Sequence, residues 1–203
     1  MTMEDAQGLR VYQKLESFAS SRKASWVAFL WGVCEATFFF IVPDIFFCFT
    51  ALFKPVRGIR HCIESVLGSI VGGAFMYALA RTYPSALNGF LLKVPAISAR
   101  MVELVHADFQ QFGIKALFWA PGRGIPYKIF AVQAGILHVD FFKFIIATFP
   151  ARLERILLLA CVAAAVGAIA KQHIRRHPKG WLVIYLLIWG GFYYAYWFIL
   201  RIK

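Results

Sequence analysis

The chain has 203 residues, of which 61% are apolar and only 16% are charged, and its mean hydropathy is positive. This composition excludes an ordinary soluble domain and is typical of a membrane protein with several helices. The formal net charge of +12 would suggest nucleic acid in a soluble protein. However, no basic run alternates with aromatic residues in a polar segment, so we expect anionic lipid headgroups, and no nucleic acid, as the partner of these cations.

The first apolar stretch covers residues 26–53 and follows a polar segment, 1–25, which we predict to be amphipathic and cytoplasmic. The stretch contains two acids, Glu35 and Asp44, with Pro43 directly before the second. A charge inside a span costs roughly 2.5–3.5 kcal/mol on insertion scales, so we interpret both acids as functional. Because both flanks are basic, a re-entrant hairpin that turns at Pro43 keeps them on one side of the membrane. One long tilted helix is the alternative.

The middle of the chain carries a spanning pattern, an interfacial pattern and a second broken stretch. Residues 62–80 predict a spanning helix whose small residues allow another helix to approach closely. Residues 98–112 predict an amphipathic helix at the membrane interface, with Ser98 as its N-cap. Residues 113–137 are apolar, but their centre holds turn-forming residues and cations, which predicts a second re-entrant hairpin. The turn residues are Pro121, Gly122, Gly124 and Pro126, and the cations are Arg123 and Lys128.

The last third of the chain predicts two further membrane helices. Residues 138–170 form a long helical pattern, with Arg152 and Arg155 on one face. A basic cytoplasmic loop is predicted over 171–180 and a final transmembrane helix over 181–203. Counting crossings from a cytoplasmic N-terminus makes the two hairpins enter from opposite faces. The predicted fold is therefore an all-α polytopic membrane protein, an inverted repeat with two opposed re-entrant hairpins plus spanning helices.

A set of short runs stands out within residues 26–170. The runs are Glu35-Ala36-Thr37, Pro43-Asp44, the glycine-rich helix 68–77, Phe112-Gly113, the run 121–128, Ala134-Gly135, Phe144, and Arg152 with Arg155. Together they resemble the DedA family, also known as the VTT or SNARE-associated Golgi protein domain, and especially its YqaA-like branch. The run 121–128 followed by Ala134-Gly135 is the most specific part of the resemblance.

The resemblance implies both a fold and an activity. It implies two opposed re-entrant hairpins that move lipids, such as undecaprenyl phosphate or phosphatidylethanolamine, often with dependence on the proton-motive force. It places the family's acids at Glu35 and Asp44 and its first arginine at Arg123. Lys128 is the cation nearest to the second arginine position, and Asp44 follows Pro43 directly, whereas many members have a glycine between them.

The chemistry of these residues predicts how a lipid phosphate would be held. Arginine donates two hydrogen bonds to phosphate and stays protonated, while glycine allows backbone amides to approach the same oxygens. Carboxylates held away from water take up protons more readily than exposed ones. The predicted phosphate-binding residues are Arg123, Lys128, Arg152 and Arg155, and the predicted proton-coupling residues are Glu35 and Asp44.

Several other functions are weighed against lipid transport. The charged groups could form permanent structural ion pairs in a non-transporting scaffold, or serve a small-solute or ion transporter. We expect no enzyme, because no nucleophile lies beside a partner and no paired aspartates or metal motif are present. Four cysteines without a C-x-x-C pair and five histidines without ligand spacing predict neither metal nor cofactor. The expected location is the bacterial inner (plasma) membrane with the N-terminus cytoplasmic, and a homo-oligomer is left open.

Overall fold

A computed structural model describes residues 3–119 and 123–202, and side chains within 7–119 and 123–198. This part of the chain is helical and contains no strand. Its α-helices are α1 (Met3–Ala19), α2 (Arg22–Thr37), α3 (Asp44–Phe53), α4 (Pro55–Thr82), α5 (Pro84–Leu91), α6 (Ala99–Phe112), α7 (Tyr127–Ile136), α8 (Phe141–Ile169), α9 (Lys171–Arg176) and α10 (Pro178–Ile202). A 3₁₀ helix, Gly113–Trp119, follows α6. The all-helical class predicted from the sequence is therefore confirmed for the described residues.

Helix starts at proline account for most differences from the predicted bounds. Pro55, Pro84 and Pro178 each occupy the first position of a helix, where the missing N–H has no intrahelical partner in any case. The basic residues that follow the first apolar stretch, 54–60, therefore lie mostly in α4, and α5 begins two residues after α4 ends. Within the stretch 171–180, predicted as a basic cytoplasmic loop, the structure has the short helix α9 and the start of α10. Its cytoplasmic location stays a prediction.

The helix predicted over 98–112 is present as α6. The Ser98 side chain accepts a hydrogen bond from the Met101 amide at 3.3 Å, which satisfies one of the free donors at the helix start. The long pattern over 138–170 is present as α8, which continues through Pro150. The interfacial location of α6 stays a prediction.

Both stretches predicted as hairpins contain a helix break. In the first, α2 ends at Thr37 and α3 begins at Asp44, directly after Pro43. In the second, Pro126 caps α7 and Gly124 has a φ of 66°, which is the left-handed region that glycine tolerates. Pro121 and Gly122 lie outside the described residues. The re-entrant course of the two stretches through a membrane stays a prediction.

The chain divides into two compact units. The first unit comprises Met1–Trp26, Asp44–His61 and Leu158–Lys203, and the second comprises Val27–Pro43 and Cys62–Leu157. In the first unit, α1 contacts α3, α9 and α10. Its core contains Tyr12, Leu52, Phe53 and Ile174.

The second unit has a larger apolar core. Buried side chains from α4, α5, α6, α7 and α8 and from the 3₁₀ helix meet in one cluster that surrounds α7. Nearly every residue of α7 is buried, from Tyr127 to Gly135. A helix that is enclosed in this way can hold its polar side chains at fixed positions inside the unit.

Glycines bring α2 and α4 close together within the second unit. A Cβ atom at Gly68 would lie 2.0 Å from the carbonyl oxygen of Phe29, and one at Gly32 would lie 2.1 Å from that of Ser65. Real Cβ atoms do not approach backbone oxygens so closely. The close helix approach predicted for the small residues of 62–80 is therefore confirmed.

Gly68→Ala is expected to lower the free energy of unfolding by about 1–3 kcal/mol, because the added methyl group meets backbone that cannot move aside alone. Gly190→Ala is the matched control, since Gly190 has open space around it and alanine favours the helix. Thermal unfolding of both variants in detergent measures the difference. Equal melting temperatures would show that α2 and α4 are not so tightly packed.

Among the residues that the structure describes, two helices are long and apolar enough to cross a bilayer, Pro55–Thr82 and Pro178–Phe198. Half of the apolar window in the first is buried inside the protein, whereas none of the window in the second is buried. An apolar face of that size needs lipid or another protein to cover it. The two helices thus hint at membrane association, and the further spans and their orientation stay predictions.

Candidate functional site

A buried ion pair joins α2 to α8 inside the second unit. Arg152 Nη2 donates to Glu35 Oε2 at 2.6 Å, and the side chains are only 9% and 7% exposed. The two residues are 117 positions apart in the chain, so tertiary packing alone brings them together. Burying two charges costs more than the pair recovers unless the remaining donors and acceptors are also satisfied.

Arg152 also lies over an aromatic ring. Its guanidinium carbon is 4.5 Å from the centroid of the Tyr127 ring, which is a cation–π distance. The Tyr127 hydroxyl lies 3.2 Å from Thr148 Oγ1, and Thr148 donates its own proton to the carbonyl of Phe144 at 2.8 Å. Tyr127 is therefore the donor to Thr148. Tyr127 and Thr148 are both buried.

A second cation, Lys128, is buried next to this pair. It is 1% exposed, and its ammonium donates to the carbonyl of Phe39 at 3.1 Å. It lies within electrostatic range of both Glu35 and Arg152. Together, Glu35, Lys128 and Arg152 hold one acid and two cations, formally a net positive charge, and we call these three residues the charged cluster.

Side chains satisfy the backbone in the break that follows α2. Lys128 hydrogen-bonds the carbonyl of Phe39, and the Trp31 indole donates to the carbonyl of Ile41 at 3.0 Å. The Trp31 ring also packs edge-on against Phe39. Non-helical backbone away from water needs such partners, because an unpaired carbonyl is costly in apolar surroundings.

One donor of the charged cluster stays unsatisfied. Among the residues that the structure describes, the buried Nε–H of Arg152 has no hydrogen-bond partner. Nε–H and Nη2 donate from the same edge of the guanidinium group, the edge that grips two oxygens of a carboxylate or phosphate. Glu35 is bonded through Nη2, so half of that edge is left for another acceptor.

The structure brings three of the six predicted charged residues into this cluster: Glu35, Lys128 and Arg152. Asp44 belongs to the first unit, where it begins α3 and is 1% exposed. Arg155 is half-buried in α8, one turn beyond the ion pair. A phosphate-binding role for Arg155 and a proton-coupling role for Asp44 stay predictions.

Arg123, which was predicted to bind phosphate, pairs with an acid outside the charged cluster. Its Nη1 donates to Asp108 Oδ2 at 2.5 Å, and its side chain is 43% exposed. Asp108 lies on α6, which packs against α7 and the 3₁₀ helix, and therefore offers a nearby acid to the turn before α7. The counter-ion of Glu35 is Arg152 instead.

A polar network holds α7 against its neighbours. Gln133, which is 1% exposed, donates to Asn88 at 2.8 Å and pairs through Oε1 with His106 Nδ1 at 2.9 Å. His106 Nε2 faces the Gln110 amide at 3.1 Å. These contacts assign the proton of a neutral His106 to Nδ1. They fix the α-helix that carries Tyr127 and Lys128.

Sequence reasoning missed Tyr127, Thr148 and Asp108 as parts of these contacts. The sequence could have pointed to Tyr127, because it directly precedes Lys128 inside the run 121–128. The sequence could also have pointed to Thr148, since it lies four residues before Arg152 and therefore on the same face of α8. Asp108 lies within the predicted interfacial helix, 98–112, and no spacing in the sequence linked it to Arg123.

Comparison with known proteins finds relatives along almost the whole chain. An uncharacterized protein of Haemophilus influenzae is 30% identical over 181 residues, which cover 88% of this chain and 93% of that protein. An uncharacterized protein of Histophilus somni is 28% identical over 181 residues, with the same coverage. No family model matches the chain, and no solved structure matches it. The shared region is too long to lie within either unit alone.

Proposed function

The chain belongs to the same family as the uncharacterized Haemophilus influenzae protein, and we propose that it is a membrane transporter or flippase of lipids or lipid phosphates. Undecaprenyl phosphate and phospholipids are the substrates that the resemblance to the DedA family implies. Transport is proton-coupled in this proposal, through Glu35 and Asp44. The protein is not an enzyme, and it works in the inner membrane with its N-terminus in the cytoplasm.

The observation that carries the proposal is the charged cluster with its unsatisfied Arg152 Nε–H. A buried donor without a partner costs roughly 1–3 kcal/mol, and more for a charged group. A phosphate oxygen on the Nε–Nη2 edge would remove that cost and balance the excess cation. Lys128 would supply a second charge to the same headgroup, since its ammonium has three donors and one is bonded to Phe39.

The apolar surface and the helix breaks support a place in the membrane. The described part of α10 exposes apolar and aromatic side chains along its length, which lipid tails would cover. The break after α2 has its Phe39 and Ile41 carbonyls bonded to side chains, as a re-entrant hairpin requires. In the proposed topology, this hairpin and the one around α7 enter from opposite faces.

The proposed mechanism is an exchange of partners at Arg152. In the structure, Glu35 holds Nη2 of the guanidinium. Protonation of Glu35 removes the negative charge from the pair, so the arginine holds a neutral carboxyl group less tightly and a phosphate can take over the Nε–Nη2 edge. When Glu35 releases the proton on the other side, the carboxylate competes again and displaces the lipid. Lipid movement is thereby tied to movement of the proton.

Proteoliposomes provide the test. Purified protein in phosphatidylcholine vesicles is expected to move NBD-labelled phosphatidic acid between leaflets, faster with a pH gradient than without one. Glu35→Gln keeps the size of the side chain but cannot exchange a proton, so we expect it to abolish the effect of the gradient. Glu154→Gln is the matched control, since Glu154 is exposed on α8.

The outcome separates the proposal from its alternatives. Vesicles that move no labelled lipid above the protein-free rate would contradict a lipid transporter. Movement of a small anion or cation under the same gradient would then indicate a solute or ion transporter, and movement of neither would indicate a scaffold. Lipid movement at the wild-type rate and pH dependence in Glu35→Gln would show that the function is right but the acid is wrong.

A further inference from the structure

Tyr127 is held from several sides by neighbours in the second unit. Its hydroxyl bonds Thr148, and its ring lies parallel to that of Phe144, with centroids 6.3 Å apart and planes at 5°. A Cβ atom at Gly73 would lie 2.2 Å from the Tyr127 hydroxyl oxygen and 2.8 Å from two ring carbons. The ring therefore occupies the space that any side chain at position 73 would take.

The ring in turn sets the position of Arg152. The face of the ring lies 4.5 Å from the guanidinium carbon of Arg152, so the ring blocks rotation of the guanidinium group on that side. The orientation of the Nε–Nη2 edge is therefore set by the rigid ring on one side and by the hydrogen bond to Glu35. Thr148 lies one turn before Arg152 on α8 and accepts a hydrogen bond from the Tyr127 hydroxyl. The same helix thus carries the arginine and one of several contacts that hold the ring beneath it.

We propose that Tyr127 is a positioning residue for anion binding by Arg152, and that Gly73 is required to seat it. This inference rests on the proposed function and adds to it how the anion-binding edge is kept in place. The attraction between cation and ring does not depend on the charge of Glu35. When Glu35 is protonated and binds Arg152 less tightly, Tyr127 still holds the guanidinium group in place. The Nε–Nη2 edge then faces the phosphate and does not turn toward another acceptor.

A buried tyrosine can also serve only to fill a core, and Tyr77 provides the comparison. Tyr77 is 3% exposed, stacks on the same Phe144 ring at 5.5 Å and hydrogen-bonds the carbonyl of Val139. It thus has the packing role of Tyr127 in the same cluster, but its contacts do not include Arg152. Tyr77→Leu is therefore the matched control for Tyr127→Leu.

The first readout is transport of NBD-labelled phosphatidic acid at increasing lipid concentration. Tyr127→Leu is expected to raise KM about tenfold, in line with a desolvated cation–π contact. Tyr127→Phe keeps the ring and is expected to stay within about twofold of wild type. Tyr77→Leu is expected to lower the melting temperature as much as Tyr127→Leu while KM stays unchanged. Equal KM values in Tyr127→Leu and Tyr77→Leu would overturn the inference.

The second readout does not need transport. In protein labelled with ¹⁵N-arginine, the Nε–H resonance of Arg152 is assigned as the one that Arg152→Lys removes. Tyr127→Leu and Gly73→Ala are expected to shift this resonance, because the ring leaves or moves, whereas Tyr77→Leu leaves it in place. An unshifted resonance in Tyr127→Leu would overturn the positioning role. Absence of lipid movement in the wild type would overturn the proposed function instead.

Discussion

Replacing Arg152 with alanine is expected to lower the free energy of unfolding by about 3–5 kcal/mol, because it leaves the Glu35 carboxylate buried without its counter-ion. The Glu35 side chain is only 7% exposed, so water cannot take the place of the guanidinium without opening the unit. Movement of phosphate lipid is expected to fall to the protein-free rate, since the Nε–Nη2 edge is gone. Thermal unfolding in detergent and the proteoliposome assay measure the two effects separately.

A double variant distinguishes loss of the charge pair from loss of the arginine. Glu35→Gln with Arg152→Met replaces both charges by neutral side chains of similar size, and such exchanges are often neutral or stabilising. We expect its stability to return to within about 1 kcal/mol of wild type, while lipid movement stays absent. Arg100→Ala, at an exposed position on α6, is the control for removing any arginine. A single Arg152→Ala variant as stable as wild type would show that the pair is open to water.

The sequence predicted the helices better than their ends. Ser98 was recognised as a cap because its hydroxyl can accept from the first free amides, and Pro43 marked a break because it lacks a donor. Pro55, Pro84 and Pro178, which each begin a helix, were not predicted as helix starts. The same missing donor makes proline suitable for the first turn of the next helix, so a break and a new start are not distinguishable from proline alone.

The members of the charged cluster were predicted, but their pairing was not. The free-energy cost of placing a charge in a membrane span is enough to mark Glu35 as an unusual acid. Which cation pairs with it depends on the residues that folding brings close to it. Arg123 and Arg152 were both predicted as phosphate-binding residues, and in the structure Asp108 of α6 pairs with Arg123 whereas Glu35 of α2 pairs with Arg152. Tyr127 is uncharged, so the pattern of charges in the sequence does not identify it. Its contact with Arg152 is known only from the structure, where α7 and α8 bring the two side chains together.

Lys128→Met is expected to reduce lipid movement by about 10- to 100-fold, the equivalent of the roughly 1.5–3 kcal/mol carried by one hydrogen bond to a charged group. Methionine matches the length of lysine without its charge. The effect on stability is expected to be small, because the Phe39 carbonyl loses a donor while the cost of burying an ammonium disappears. Lost transport with a retained melting temperature is the result expected for a charge that serves function and not stability.

Lys115→Met supplies the comparison, because Lys115 is exposed in the 3₁₀ helix and binds no group of the charged cluster in the described structure. It is expected to change the free energy of unfolding by less than about 0.5 kcal/mol and to leave transport unchanged. If Lys128→Met instead lost stability and transport together, Lys128 would act chiefly as the tie between α7 and the break after α2. If it lost neither, phosphate would be held without Lys128, and Arg152 would be the cation of the cluster that binds it.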